Sequence, residues 1–126
     1  MTTALVRALG DLAHAAVHPA GCGPRACPPP SVLADRDDGT VVRSGPVVAK
    51  AHAAGTDTTA LAVRLRLAAG SRQDGILLAP LPAAPGAHLT ELHGRPVTLW
   101  PQGEPVDPGD PDAAPWEEAG ALLARL

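Results

Sequence analysis

Ten basic residues divide into nine arginines and a single lysine. That lysine, Lys50, closes the apolar run Val47-Val48-Ala49-Lys50. A lysine ammonium is a compact point charge that pairs well with phosphate oxygens, whereas a guanidinium fork is larger and shaped for bidentate partners. Lys50 therefore reads either as an anion-binding group in the middle of a strand or as an ordinary solvent-facing lysine on a half-exposed sheet. Spacing alone leaves both open.

A second set of chemical residues lies upstream. His14, His18, Cys22 and Cys27 form an H-x3-H-x3-C-x4-C series in which zinc is conceivable. Structural zinc sites favour tighter cysteine pairs, and two histidines one helical turn apart are common on surfaces. The sequence reading accordingly assigns no metal ligands, and it expects a disulfide only in an oxidising compartment, which nothing else in the sequence indicates.

The elements that must position these residues follow from periodicity. Leu5, Leu9, Leu12, Ala16 and Val17 recur at the spacing of one helical face, so Thr2–Val17 is expected to be a helix with Thr2 or Thr3 as its cap. Residues 18–30 hold five prolines, which cannot continue a helix or join a sheet interior, and read as a loop. Short β-branched runs then alternate with turn dipeptides: 31–34, 40–43 and 46–52 read as three antiparallel strands, with Asp38-Gly39 as a hairpin turn of positive φ. A helix over Thr58–Ala69 follows, with Leu61 and Leu65 inward and Gly70 as its stop. Ile76–Ala79 and Pro96–Trp100 read as two further strands. Pro101–Pro115 reads as an extended connector, and Trp116 to Leu126 as the start of a helix with Pro115, Glu117 and Glu118 at its positive end.

The expected fold is α+β: a five-stranded antiparallel sheet with one packed helix, preceded by an N-terminal helix. The chain divides into 1–30 (helix and Pro/Gly-rich loop), 31–100 (the sheet and its helix) and 101–126 (tether and final helix). With 15 Pro, 13 Gly, no Phe and no Tyr, its core must be built from Leu, Val, Ala and Trp. Small side chains bury little area each, at about 25 cal/mol per Å², so a thin core and marginal stability are expected.

Formal net charge is −3 and no block of like charge occurs, which argues against a nucleic-acid partner. No segment approaches the roughly 20 apolar residues of a membrane span. The Ala-rich start is broken by Asp11 and His14, short of the roughly 7–15 apolar residues a secretion signal needs. The expected location is the cytoplasm.

From Val41 onwards the sequence resembles the N-lobe and hinge of the aminoglycoside phosphotransferase family, which has a kinase-like fold. The pieces that carry the resemblance are Val41-Val42-Arg43-Ser44-Gly45-Pro46-Val47-Val48-Ala49-Lys50, Gly94-Arg95-Pro96-Val97-Thr98-Leu99-Trp100-Pro101, and Trp116-Glu117-Glu118 with Leu122 to Leu126. It implies that Lys50 holds ATP phosphates, that Gly39 lies in the hairpin covering them, that Asp57 takes the place of the helix acid that pairs with the lysine, and that Trp100, Gln102 and Gly103 form the hinge around adenine. It also implies Mg2+, with ligands in a C-lobe, and transfer of phosphate to a small-molecule hydroxyl. Three departures are plain. The hairpin at 35–40 carries three Asp and one Gly where a Gly-rich loop belongs. The helix at 58–69 has no Glu. The family's catalytic loop, His-Gly-Asp followed by Asn, is absent, so no catalytic residue is assigned and the chain alone is expected to be inactive. The alternative is a non-catalytic α+β module that binds a protein partner, or a separate C-lobe, through an apolar stripe on the last helix.

Overall fold

The computed structural model describes residues 3–18, 21, 27, 29–70 and 76–125. Its elements are α1 (Thr3–Val17), β1 (Ser31–Arg36), β2 (Gly39–Ser44), β3 (Val47–His52), α2 (Thr58–Ala69), β4 (Thr90–Leu92), β5 (Arg95–Pro101) and α3 (Trp116–Leu123). The five strands form one antiparallel sheet in the order β1-β2-β3-β5-β4. The α+β expectation, with a helix ahead of a five-stranded sheet, holds.

Side-chain alternation assigns the two faces of the sheet. Val42, then Val47, Ala49 and Ala51, then Val97 and Leu99 form one buried cluster with Leu5, Leu9 and Ala13 of α1. One face of the three central strands is thus covered by the first helix. The core is as thin as the composition implies: its largest fully buried side chains are Leu9, Leu99, Val42, Val97, Thr40 and Thr98. Gly10 lets α1 come close, because a Cβ there would sit 2.9 Å from Cγ of Pro30.

The residues of alternate parity, Val41 on β2, Val48, Lys50 and His52 on β3, and Pro96, Thr98 and Trp100 on β5, belong to the opposite face. Register makes Lys50 the partner of Val41 on one side and of Thr98 on the other. Helix α2 begins where the sequence indicates. The Asp57 carboxylate accepts hydrogen bonds from the backbone N–H groups of Thr59 and Ala60 at 3.0 and 3.1 Å, a cap of the kind that contributes about 1 kcal/mol. Leu61 and Leu65 are its buried residues.

Three expectations need correction. Ile76–Ala79 is not a strand; the fourth strand is Thr90–Leu92, whose three residues are too short to show a period. The prolines at 80, 82 and 85 break the earlier run into a loop touching the sheet through a single bridge, Leu81 to Leu99. The hairpin between β1 and β2 turns at Asp37-Asp38, since Arg36 pairs with Gly39, and among described non-glycine residues only His93 has positive φ. The tight turn with two positive φ values is instead His93-Gly94 (52° and 75°), joining β4 to β5 in the geometry that matches strand twist. The connector after Pro101 is not uniformly extended. Asp107 and Asp110 each accept a backbone N–H two residues on, from Gly109 and Asp112, both at 2.9 Å, and wind it into successive Asx turns.

The last helix, α3, forms as expected with Glu117 and Glu118 in its first turn but has no buried residue. No helix among the described residues is long and apolar enough to cross a membrane.

Candidate functional site

The face of the sheet away from α1 concentrates the chemistry. At its centre Lys50 is half-buried in mid-strand. Gly39 borders its stem, because a Cβ there would stand 3.5 Å from Cε of Lys50. Across the β3–β5 ladder lies Thr98, fully buried. Its Oγ1 accepts a hydrogen bond from the indole N–H of Trp100 at 2.8 Å and lies 2.9 Å from Nε2 of His52. The threonine hydroxyl links the two rings: with one lone pair used by Trp100, it donates to an unprotonated Nε2 or accepts from a protonated one.

Burial lowers the pKa of His52 below its ordinary value, and the cations Lys50, Arg64 and Arg95 lower it further in that order. The neutral imidazole is therefore favoured at His52. Of the three cations Lys50 shares its face, while Arg95, of the parity of Val97 and Leu99, reaches Thr40 on the α1 side.

Arg95 has a structural role that spacing alone did not reveal. Its guanidinium donates to the backbone carbonyls of His52 (2.7 Å) and Ala51 (3.1 Å) and to Oγ1 of Thr40 (3.1 Å), tying the end of β3 to β2 and β5. The Thr40 hydroxyl in turn donates to Asp35 at 3.4 Å. A charged donor serving several acceptors is worth more than a neutral pair. The sequence signal that bears on it is an arginine directly after the turn glycine, Gly94-Arg95.

The six candidate binding residues fare differently. Lys50 and Gly39 are adjacent, and Trp100 joins the same face through Thr98. Asp57 is engaged as the cap of α2, and no ion pair joins it to Lys50 among the described residues. Gln102 spends its backbone N–H on the carbonyl of Pro46 at 2.8 Å, closing the β3–β5 ladder beyond Pro101. Its side-chain amide donates to the carbonyl of Gly103, also at 2.8 Å. Those two residues form a local loop rather than a row of unused amides. His52 and Thr98 were missed because neither residue type marks a site when it stands alone in a strand; the signal was their shared parity with Lys50.

Cys27 is disulfide-bonded, a bond the sequence reading allowed only in an oxidising compartment. Cys22, the other cysteine of the sequence, lies outside the described residues.

No family model, no curated protein and no solved structure matches this chain.

Proposed function

We propose that the chain is a nucleotide-binding lobe of an ATP-dependent phosphotransferase acting on a small-molecule hydroxyl. The observation that carries the reading is the position of Lys50: mid-strand on the third and central strand, on the face opposite α1. Three strands, a helix and two strands in that order, with the lysine on the third strand, are also what the resemblance to the aminoglycoside phosphotransferase family implies.

The fit to ATP is partial. Lys50 suits a phosphate oxygen as a point charge. The hairpin tip does not suit phosphate, because Asp35, Asp37 and Asp38 oppose an anion, and Asp37 and Asp38 make up its turn where a phosphate-covering loop offers glycine amides. The amide of Gln102 is already used, which removes one donor from the adenine hinge. Among the described residues no acidic ligand set for Mg2+ is found on this face, and the resemblance assigns its ligands to a C-lobe. The function proposed is binding, with catalysis dependent on a catalytic lobe. ATP is abundant in the cytoplasm, whereas the disulfide at Cys27 is of the kind that persists in oxidising compartments.

Calorimetric titration of the chain with ATP and magnesium, beside Lys50→Ala, tests the reading. Binding that weakens at least about tenfold on substitution, the loss of one charge-assisted contact, supports it; equal binding by both proteins refutes the role of Lys50.

One observation favours a second reading. Trp116 and Leu123 of α3 are both 67 % exposed, and an eight-residue helix with no buried side chain is suited to docking on another protein or lobe. Truncating α3 separates the readings, since it removes such a partner's surface and leaves Lys50 intact.

A further inference from the structure

Away from the lysine face, the end of α1 meets the proline-rich loop. His14 lies in the last turn of α1 and His18 directly after it, and the backbone N–H of His18 still donates to the carbonyl of His14 at 2.8 Å. The helical path thus carries two imidazoles four residues apart to the same side, with ring centroids 5.1 Å from each other. Cys27 returns to the same point. A ring nitrogen of His14, one of His18 and Sγ of Cys27 all lie within 4.8 Å of one another. The three residues, with Val17, Ser44 and Gly45, line a small cavity of about 30 Å³, enough for one water-sized occupant.

We propose that His14, His18 and Cys27 form a site for a borderline-soft divalent cation of the Zn2+ type, and that the disulfide at Cys27 excludes it. Two imidazoles and a thiolate are a zinc donor set, and histidines at i and i+4 on one helix are a standard way to offer two of them together. Tetrahedral zinc, with bonds of about 2.0–2.3 Å, holds such atoms about 3.3–3.8 Å apart. The cluster must therefore contract by about 1 Å, which rotation of the exposed His18 ring provides. Water completes the coordination. The wide cysteine spacing that argues against a site in the sequence matters less once the ligands come mainly from a helix.

The redox step balances simply. A dithiol reductant gives two electrons and two protons to the Cys27 disulfide, the S–S bond breaks into two thiols, and the reductant closes into its own disulfide. The cation then displaces the proton of the Cys27 thiol into solvent and binds the thiolate and the two neutral imidazoles. Metal binding and disulfide formation thus compete for one sulfur.

The test is titration with Co2+, a spectroscopic stand-in for Zn2+, of the full chain reduced with a dithiol and then freed of it under nitrogen. The expected result is a thiolate-to-cobalt charge-transfer band in the reduced protein and none in the oxidised one, with prior Zn2+ loading abolishing the band and slowing alkylation of Cys27. His18→Ala, a change at an exposed position, and His14→Ala are each expected to weaken binding by about 100-fold or more, since losing a ligand exceeds the 10- to 100-fold cost of an outer-shell partner. Circular dichroism confirms that each variant is folded. A reduced, folded protein with no thiolate band overturns the proposal, as does a band of undiminished affinity in His18→Ala.

Discussion

Lys50 of β3 and Thr98 of β5 are direct partners across the antiparallel ladder, on the face of the sheet turned away from α1. The pairing places Lys50 across the ladder from a threonine whose hydroxyl accepts from Trp100 and lies 2.9 Å from Nε2 of His52. The lysine is therefore part of a polar row, with His52, Thr98 and Trp100, built into one face of the central strands.

Because burial and three cations depress the pKa of His52 below 6.5, the folded protein binds fewer protons there than the unfolded chain. Its contribution to stability is complete above pH 6.5 and is lost as pH falls from that value towards the lower folded pKa. Denaturant midpoints measured from about pH 8 down to about pH 5 should decline in the acid range. The decline should be shallower in His52→Gln, and parallel curves for the two proteins would refute the assignment.

Arg95→Met keeps the aliphatic stem but strips the donors from the carbonyls of Ala51 and His52 and from Thr40. The expected loss is about 2 kcal/mol, read as a lower denaturant midpoint with unchanged slope. The same change removes one cation from the surroundings of His52, so the His52 pKa, followed by NMR, should rise. A stability loss without that rise would leave Arg95 as a clip only.

The core is thin enough for single substitutions to matter. Leu9, with no exposed surface, is expected to cost about 2–5 kcal/mol as Leu9→Ala, a large fraction of the stability of a small domain. Gly10→Ala is a sharper test. On propensity it should stabilise α1 by about 1 kcal/mol, yet the new Cβ meets the Pro30 ring at 2.9 Å. Pro30 leads straight into β1, where Ser31 pairs with Arg43, so a net loss of about 1 kcal/mol is expected; a gain in thermal midpoint would contradict the close packing of helix and loop.

The sequence was most legible where one element repeats a pattern. Leu5 and Leu9 mark the inner face of α1, Leu61 and Leu65 that of α2, and Asp57 its start. Three strands came from β-branched runs between turn residues. The fourth was hidden because Thr90–Leu92 buries too little to show alternation, while the more hydrophobic Ile76–Ala79 attracted the assignment that prolines downstream forbid. Asp38-Gly39 carried the favoured dipeptide for a tight hairpin turn, but strand register, fixed by burial of Val42 and Thr40, moved the turn one residue back. At the candidate site, Lys50 was visible as a lone lysine in an apolar strand. Its neighbours His52 and Thr98 were not, because cross-strand register is a property of the folded sheet, and the convergence of His14, His18 and Cys27 likewise depends on where the loop returns.

Lys50 is the only lysine of the chain, so amine acylation reads it without ambiguity, with the N-terminal amine as internal control. The direct test of the phosphate-binding role is the rate of Lys50 acylation, followed by mass spectrometry, with and without ATP and magnesium. If the β and γ phosphates rest on this ammonium, saturating nucleotide slows acylation of Lys50 about tenfold or more while the N-terminus reacts at an unchanged rate. Equal rates with and without nucleotide, in protein shown to be folded, would contradict it.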